Sequence, residues 1–409
     1  MPSDRTAVTE LATGLGMLGL AGIDEAVRSR TPVMHTLSPE MWERLERLRA
    51  GGAYDAEFHA AWANGQAFLT AGDGLRGRLP RVVEWKGTGR APGDEVAPID
   101  LRVDHVYLIS CKYLSKILFN VSPTSVFDAL LFGGPGRGAR AARELLPGGG
   151  DWYAEVAPAQ YQALYESVRL AARSGEATAS ATASATASAS ASASMLSAQA
   201  ARPAFAPGAV ALPGLSAAAA TEAPETDGRQ DRPVPPALRH LPPLAVDLTV
   251  PQREELGHWL RSGWPPGAKD LYATLSAAVA RASARRWEAA MDDRGGTGET
   301  MLWRLLRIGS APYFVLGSSS DRSLRLRIAT SWDWRQHFQL LSISMEGQRG
   351  GQPRVGWEAL VRDRSSQEVH SVVGHIKVRW SHGRFGGLPE AKGYLDTPHH
   401  LVPGYFTLR

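Results

Sequence analysis

The sequence predicts an α/β (α+β) protein: a helix-and-strand core in its first half and a mostly antiparallel β part, flanked by helices, in its second. Three observations carry that reading. Apolar residues recur at helical spacing between residues 38 and 70, then give way to short alternating runs between 81 and 113. From Tyr313 to Trp380, further short runs alternate apolar and polar residues between polar turns, the pattern of an antiparallel sheet. Between these regions lie a Ser/Ala/Thr repeat, Glu176 to Ser194, and a Pro- and Ala-rich stretch, Ala201 to Pro243. Neither can bury enough apolar surface to offset chain entropy.

Each element has its own signature. Ser38-Pro39-Glu40 opens a helix, with Ser as N-cap and Pro in the first turn, and Met41, Leu45 and Leu48 fall on one face. Tyr54 to Thr70 is a second helix, with Phe58, Trp62, Phe68 and Leu69 on its apolar side, closed by Gly72-Asp73-Gly74. Arg81 to Gly87 is a strand, and Pro98 to Tyr113 is a hairpin turning at Asp104-His105. Ser122-Pro123 opens another helix with Val126, Leu130 and Leu131, followed by a Gly- and Arg-rich loop from Gly133 to Gly150 and a helix from Gln160 to Ala172. Helices are expected again over Glu254–Trp264, Asp270–Met291 and Glu299–Ile308 before the strands begin, and the tail beyond Trp380 reads as loop.

The 409 residues exceed one typical domain. The expected division is a helical segment at 1–50, an α/β domain at 51–173, a disordered linker at 174–245 and a helical, then β-rich domain at 246–409; the alternative is that both halves together build one compact domain, with 133–245 as a long insertion. One cysteine excludes a disulfide framework and any Cys-rich zinc module. A net charge of +4 is compatible with nucleic acid without demanding it. The first thirty residues lack a basic leader and a clear cleavage site, and no run of eighteen apolar residues occurs. The expectation is a soluble cytoplasmic protein with no membrane partner.

The hairpin holds the strongest functional clue. Side chains alternate along a strand, so Asp100 shares a face with Arg102, and Ser110 with Lys112. The turn brings Asp100 roughly opposite Ile109 and Ser110. An acid and a lysine then meet at the end of an apolar pair of strands, where charge belongs only if paired or holding a metal. One outcome is a structural ion pair; the other is chemistry. Phosphodiester cleavage needs hard oxygen ligands for Mg²⁺ or Mn²⁺ and an ammonium near the developing negative charge.

The helix–three-strand–helix order with Asp100 and Ser110-Cys111-Lys112 resembles the PD-(D/E)XK nuclease superfamily over about residues 54–132. The resemblance implies a restriction-endonuclease-like three-layer core around a mixed sheet and a metal-dependent nuclease acting on DNA, with a restriction or defence role as its extension. It makes Asp100 a metal-ligating acid and Lys112 the lysine that orients or activates water. Two departures stand out: Pro98-Ile99-Asp100 replaces an adjacent Pro-Asp, and Ser110 stands where the family has Glu or Asp. Members with Ser there borrow a carboxylate from a neighbouring element, for which the candidates are Glu84 and Glu57. An alternative register pairs Asp73 with Glu84-Trp85-Lys86. The rival class is a non-catalytic nucleic-acid- or protein-binding protein with a degenerate core of this kind.

Elsewhere, strand alternation aims Cys111 away from Lys112, as a core thiol. Arg325, Arg327, Arg379 and Arg384 accompany tryptophans in a way that suits phosphate contact and base stacking, or else form the wet face of a sheet. His375, His382, His399 and His400 show no tight ligand spacing.

Overall fold

A computed structural model describes residues 3–87, 99–113, 117–121, 123–126, 151–186, 234–292, 297–318 and 323–409. The protein is α/β, built on a mixed seven-stranded sheet and a separate antiparallel sheet. The described residues form two units: residues 1–158, 273–379 and 389–409 make the first, and residues 159–272 and 380–388 the second.

The first unit begins with helices α1 (Asp4–Gly16), α2 (Ile23–Ser29), α3 (Pro39–Ala50) and α4 (Asp55–Thr70). Ser38 caps α3 as its sequence requires, accepting a hydrogen bond from the Met41 amide at 3.3 Å. Helix α1 is buried at every position from Ala7 to Gly16. It crosses α4 where both chains carry glycine: a Cβ on Gly16 would stand 2.3 Å from the Trp62 carbonyl oxygen, and one on Gly65 2.1 Å from that of Thr13.

The larger sheet runs β1 (Met34–His35), β2 (Val83–Trp85), β3 (Leu101–Val103), β4 (Tyr107–Tyr113), β6 (Tyr313–Ser318), β7 (Ser323–Ile328) and β12 (Tyr405–Thr407) in spatial order. It is mixed: β1–β2 and β4–β6 are parallel, whereas β2–β3, β3–β4, β6–β7 and β7–β12 are antiparallel. Val83, Leu101, Val103, Ile109, Cys111, Phe314 and Leu316 pack with α1 and α4 into one core. The smaller sheet runs β5 (Ile117–Val121), β11 (Pro389–Leu395), β10 (Val369–Trp380), β9 (Arg354–Asp363) and β8 (Phe338–Gln348).

The larger sheet crosses the expected domain boundary. Leu108–Tyr113 pairs with Tyr313–Ser318, so strands from both sides of residues 174–245 share one ladder. The first two strands after Tyr313 therefore belong with the amino-terminal hairpin, and only β8–β10 of that series join the second sheet. The tail expected as loop supplies β11 and β12; the alternating burial of β11 is short, running only from Pro389 to Gly393. Of the helix expected after Ser122-Pro123, the described residues show a 3-10 turn, Pro123–Val126, and the part with Leu130 and Leu131 lies outside the described residues.

Helices α5 (Trp152–Val156) and α6 (Pro158–Thr186) follow. Both ends of the expected linker carry structure: α6 continues to Thr186, and Pro236–His240 forms a 3-10 turn with Leu238 fully buried. Its middle, 187–233, lies outside the described residues. The second unit then holds α7 (Val250–Trp259), whose Thr249 and Gln252 complete a capping box. Helices α8 (Ala268–Asp292), α9 (Thr297–Leu306) and α10 (Ser331–His337) complete the set.

Candidate functional site

The β3–β4 hairpin sets the geometry. Leu101 pairs with Ile109 and Val103 with Tyr107, and the Asp100 amide donates to the Ile109 carbonyl at 2.9 Å, which puts Asp100 across from Ser110. The turn uses Asp104 and His105 in the left-handed region (φ 48° and 62°), which Asp and His tolerate better than most residues. The Asp104 carboxylate anchors it, accepting from the amides of Arg81 (2.7 Å) and Val82 (3.1 Å) and from Arg78 (2.6 Å).

Asp100 Oδ2 accepts from the Cys111 amide at 2.6 Å and from Ser110 Oγ at 3.2 Å. Ser110 is fully buried and also hydrogen-bonded to the Tyr313 phenol on β6. Arg307 Nη1 donates to that phenol at 3.0 Å. Arg307 directly follows α9, is 2 % exposed and adopts a positive φ of 59°, a conformation that an arginine holds only when its surroundings fix it. Tyr405 Oη donates to the Leu306 carbonyl at 2.9 Å and pins the helix end from which Arg307 departs. On the α1 side, Trp85 Nε1 donates to Glu10 Oε2 at 2.6 Å.

These groups titrate abnormally because they are dry. Burial, and then the charge of Asp100, push the Glu10 carboxyl up to about 8. Burial raises Asp100 as well, against Lys112 and its two hydrogen bonds. Burial, and then the Arg307 guanidinium, push the Lys112 ammonium down to about 8, against the pull of Asp100, Cys111 and Glu10. Lys112 and Arg307 act on the buried Asp100, and Asp100 and Lys112 on Glu10. A buried cluster with shifted titration is where chemistry is sought first.

The expected residues are only partly brought together. Asp100 bonds Ser110 across the hairpin, and Lys112, two residues further along the same strand face, acts on Asp100 through its charge. Glu57 does not join them; its carboxylate takes a 3.0 Å bond from Arg5 Nε. Glu84 is spent on Lys86 (3.8 Å), Arg102 (3.9 Å) and His105 (3.6 Å). Asp73 stands 3.6 Å from Arg327 and not beside Glu84. The carboxyl whose charge is coupled to Asp100 and Lys112 is instead that of Glu10, and Arg307 and Tyr313 come from the far side of the sequence. Glu10 had a signal: it is the sole ionisable residue between Arg5 and Asp24.

The four arginines form no single surface. Arg325 ties β7 to α4 through Asn64 at 2.9 Å, and Arg327 lies over the Phe406 ring at 4.7 Å. Arg379 pairs with Glu390 at 3.3 Å on the other sheet. Arg384 belongs to the second unit, where it donates to the Leu260 carbonyl and covers Trp264. Cys111 is core, and burial holds its thiol well above the ordinary range.

Among the described residues no group of three His, Cys, Asp or Glu side chains could cage a metal. Mg²⁺ needs less, because it keeps waters and takes one or two carboxylates plus phosphate oxygens. Glu10 and Asp100 supply two buried carboxyls of this kind, and the charge of Asp100 raises the proton affinity of Glu10, which a divalent cation would relieve. No protein-family model, curated protein or solved structure matches the chain.

Proposed function

We propose that the protein is a metal-dependent nuclease that hydrolyses phosphodiester bonds, with a restriction-endonuclease-like site at the β3–β4 hairpin. One observation carries the reading: Glu10, Asp100 and Lys112, from a helix and two adjoining strand segments, are all buried, and the charges of Asp100 and Lys112 act on Glu10 as those of Asp100 and Glu10 act on Lys112. Glu10 and Asp100 would hold Mg²⁺ or Mn²⁺, which when bound offsets charge on the scissile phosphate and acidifies a coordinated water. Lys112, shifted to about 8, is partly neutral near physiological pH and can accept or share the proton of an attacking water. Ser110 and the Cys111 amide orient Asp100, and Tyr313 with Arg307 holds Ser110. DNA is the expected substrate, and a restriction or defence role is an extension of the resemblance.

A second reading has its own observation. Asp100 already has two hydrogen bonds and two nearby cations, so the cluster is compensated without an ion, as in a binding protein with a decayed core. The test is incubation of supercoiled plasmid with the full chain and Mg²⁺ or Mn²⁺, beside Glu10→Gln, Asp100→Asn and Lys112→Met. Nicking that falls at least about a hundredfold in each variant supports the nuclease. An inactive wild type in both metals supports the binding protein.

A further inference from the structure

Asp73 and Arg327 are left without a role by the hairpin site, yet they meet at a pocket of their own. It encloses about 560 Å³, and Gly72, Asp73, Arg327, His400, Phe406 and Arg409 are among the residues that line it. Strand β12 pairs with β7 so that Phe406 stands directly opposite Arg327, and the guanidinium lies over the ring, 4.7 Å from its centre. The loop after α4 brings in Asp73, whose amide donates to the Arg409 carbonyl at 3.0 Å, just past the end of β12. Asp333 approaches Arg327 from the first turn of α10, which Thr330 caps.

The charges at this pocket are close without being joined. Asp73 Oδ1 stands 3.6 Å from Arg327 Nε, and Asp333 Oδ2 stands 4.0 Å from Nη1, both beyond hydrogen-bond reach. Among the described residues, Nε of Arg327 has no acceptor at all. A guanidinium and a carboxylate that are free to pair close to about 2.7–2.9 Å, often through two parallel bonds. Here the ring of Phe406 fixes the guanidinium and the backbone bond to Arg409 fixes the Asp73 loop, so the gap stays open. The side chains of Arg327, Asp73 and Asp333 are 31 %, 34 % and 38 % exposed, which leaves each within reach of a solute.

We infer that this pocket binds a free α-amino acid, with the ligand's carboxylate on the Arg327 guanidinium and its ammonium on Asp73, beside Asp333. One guanidinium facing two carboxylates offers no net attraction to an anion, so the charges select a ligand that carries both signs. An α-amino acid carries them at a fitting distance: standard bond lengths put its nitrogen about 3 Å from its carboxylate oxygens. That compares with the 3.6 Å between Arg327 Nε and Asp73 Oδ1. Each ligand charge then makes the charge-assisted hydrogen bonds that the protein's own acid and base do not make with each other. The volume falls within the range of small-molecule sites and leaves room beside Phe406 and His400 for the ligand's side chain. None of this binding uses the hairpin acids, so it stands whether or not the protein cuts a strand.

The test is isothermal titration calorimetry of the full chain against each standard L-amino acid at neutral pH. At least one should bind with a dissociation constant of about 1 mM or lower. The N-acetyl and carboxamide forms of that amino acid each lack one of its charges and should bind at least about tenfold more weakly. Asp73→Asn and Arg327→Gln should each weaken binding of the free amino acid at least about tenfold. Asp73→Asn keeps the side chain's size and the backbone bond to Arg409, so it reads the charge even if Arg327→Gln fails to fold. Arg349→Ala, an exposed cation elsewhere, is the control and should bind as the wild type does. The site is overturned if no amino acid binds, if either blocked form binds as tightly as the free one, or if Asp73→Asn keeps full affinity. An equal loss in Arg349→Ala overturns it too.

Discussion

Replacing Glu10 by Gln should stabilise the protein, increasingly so as pH rises from 5 to 8. The Glu10 carboxyl is raised from 4.5 to about 8, chiefly by burial and then by Asp100. A carboxyl whose folded value lies above its unfolded value contributes most below the unfolded value, and that contribution drains away as pH climbs to the folded one. At about 1.36 kcal/mol per pH unit, the rise from 4.5 to about 8 sets a ceiling of about 5 kcal/mol. Gln keeps an acceptor for Trp85 Nε1 and ionises nowhere in the range, so the variant escapes the loss. Lys112 titrates in the folded and unfolded chains between about 8 and 10.5, so measurements end at pH 8. Urea melts of both proteins at pH 5, 6, 7 and 8 should diverge steadily, the variant rising relative to the wild type. Millimolar Mg²⁺ at pH 8 should then raise the wild-type midpoint more than the variant's, since a ligand stabilises only the state that binds it. Parallel pH curves would refute the buried, proton-holding Glu10. A Mg²⁺ effect of equal size in both proteins would remove Glu10 from the metal site.

Two further outcomes test how the site is held. Gly65→Ala should cost about 1–3 kcal/mol in thermal or urea melts, because the new Cβ meets the Thr13 carbonyl oxygen and α1 must move off α4; a loss within error would mean that the helices part freely. Asp104→Ala should cost a similar amount, about 1–3 kcal/mol, by orphaning the amides of Arg81 and Val82, whereas Asp104→Asn, which keeps an acceptor and tolerates the left-handed backbone, should lose clearly less.

What was legible in the sequence and what was not divides along one physical line. Local rules found what local forces build: Ser38 as a cap, the helix at Asp55–Thr70, the turn at Asp104-His105 and, through it, the meeting of Asp100 with Ser110 and with the charge of Lys112. They could not pair β4 with β6, because a parallel ladder across roughly two hundred residues leaves no mark in either strand; each reads as a short alternating run with no sign of its partner. That blind spot is also why the chain looked like two domains divided by a linker, and why Arg307 and Tyr313 were missed. Glu10 is a different failure. Glu57 and Glu84 sat nearer in sequence to Asp100 and on stronger motifs, but each lies where arginine or lysine can reach it from solvent, and each is neutralised there. A carboxylate can serve a buried cation only if nothing else has already claimed its charge. Glu10, the lone charge in the buried run Ala7–Gly16, is the acid on which the proposed metal site therefore rests, and the question that points to it is which carboxylate the fold encloses, not which one lies close by along the chain.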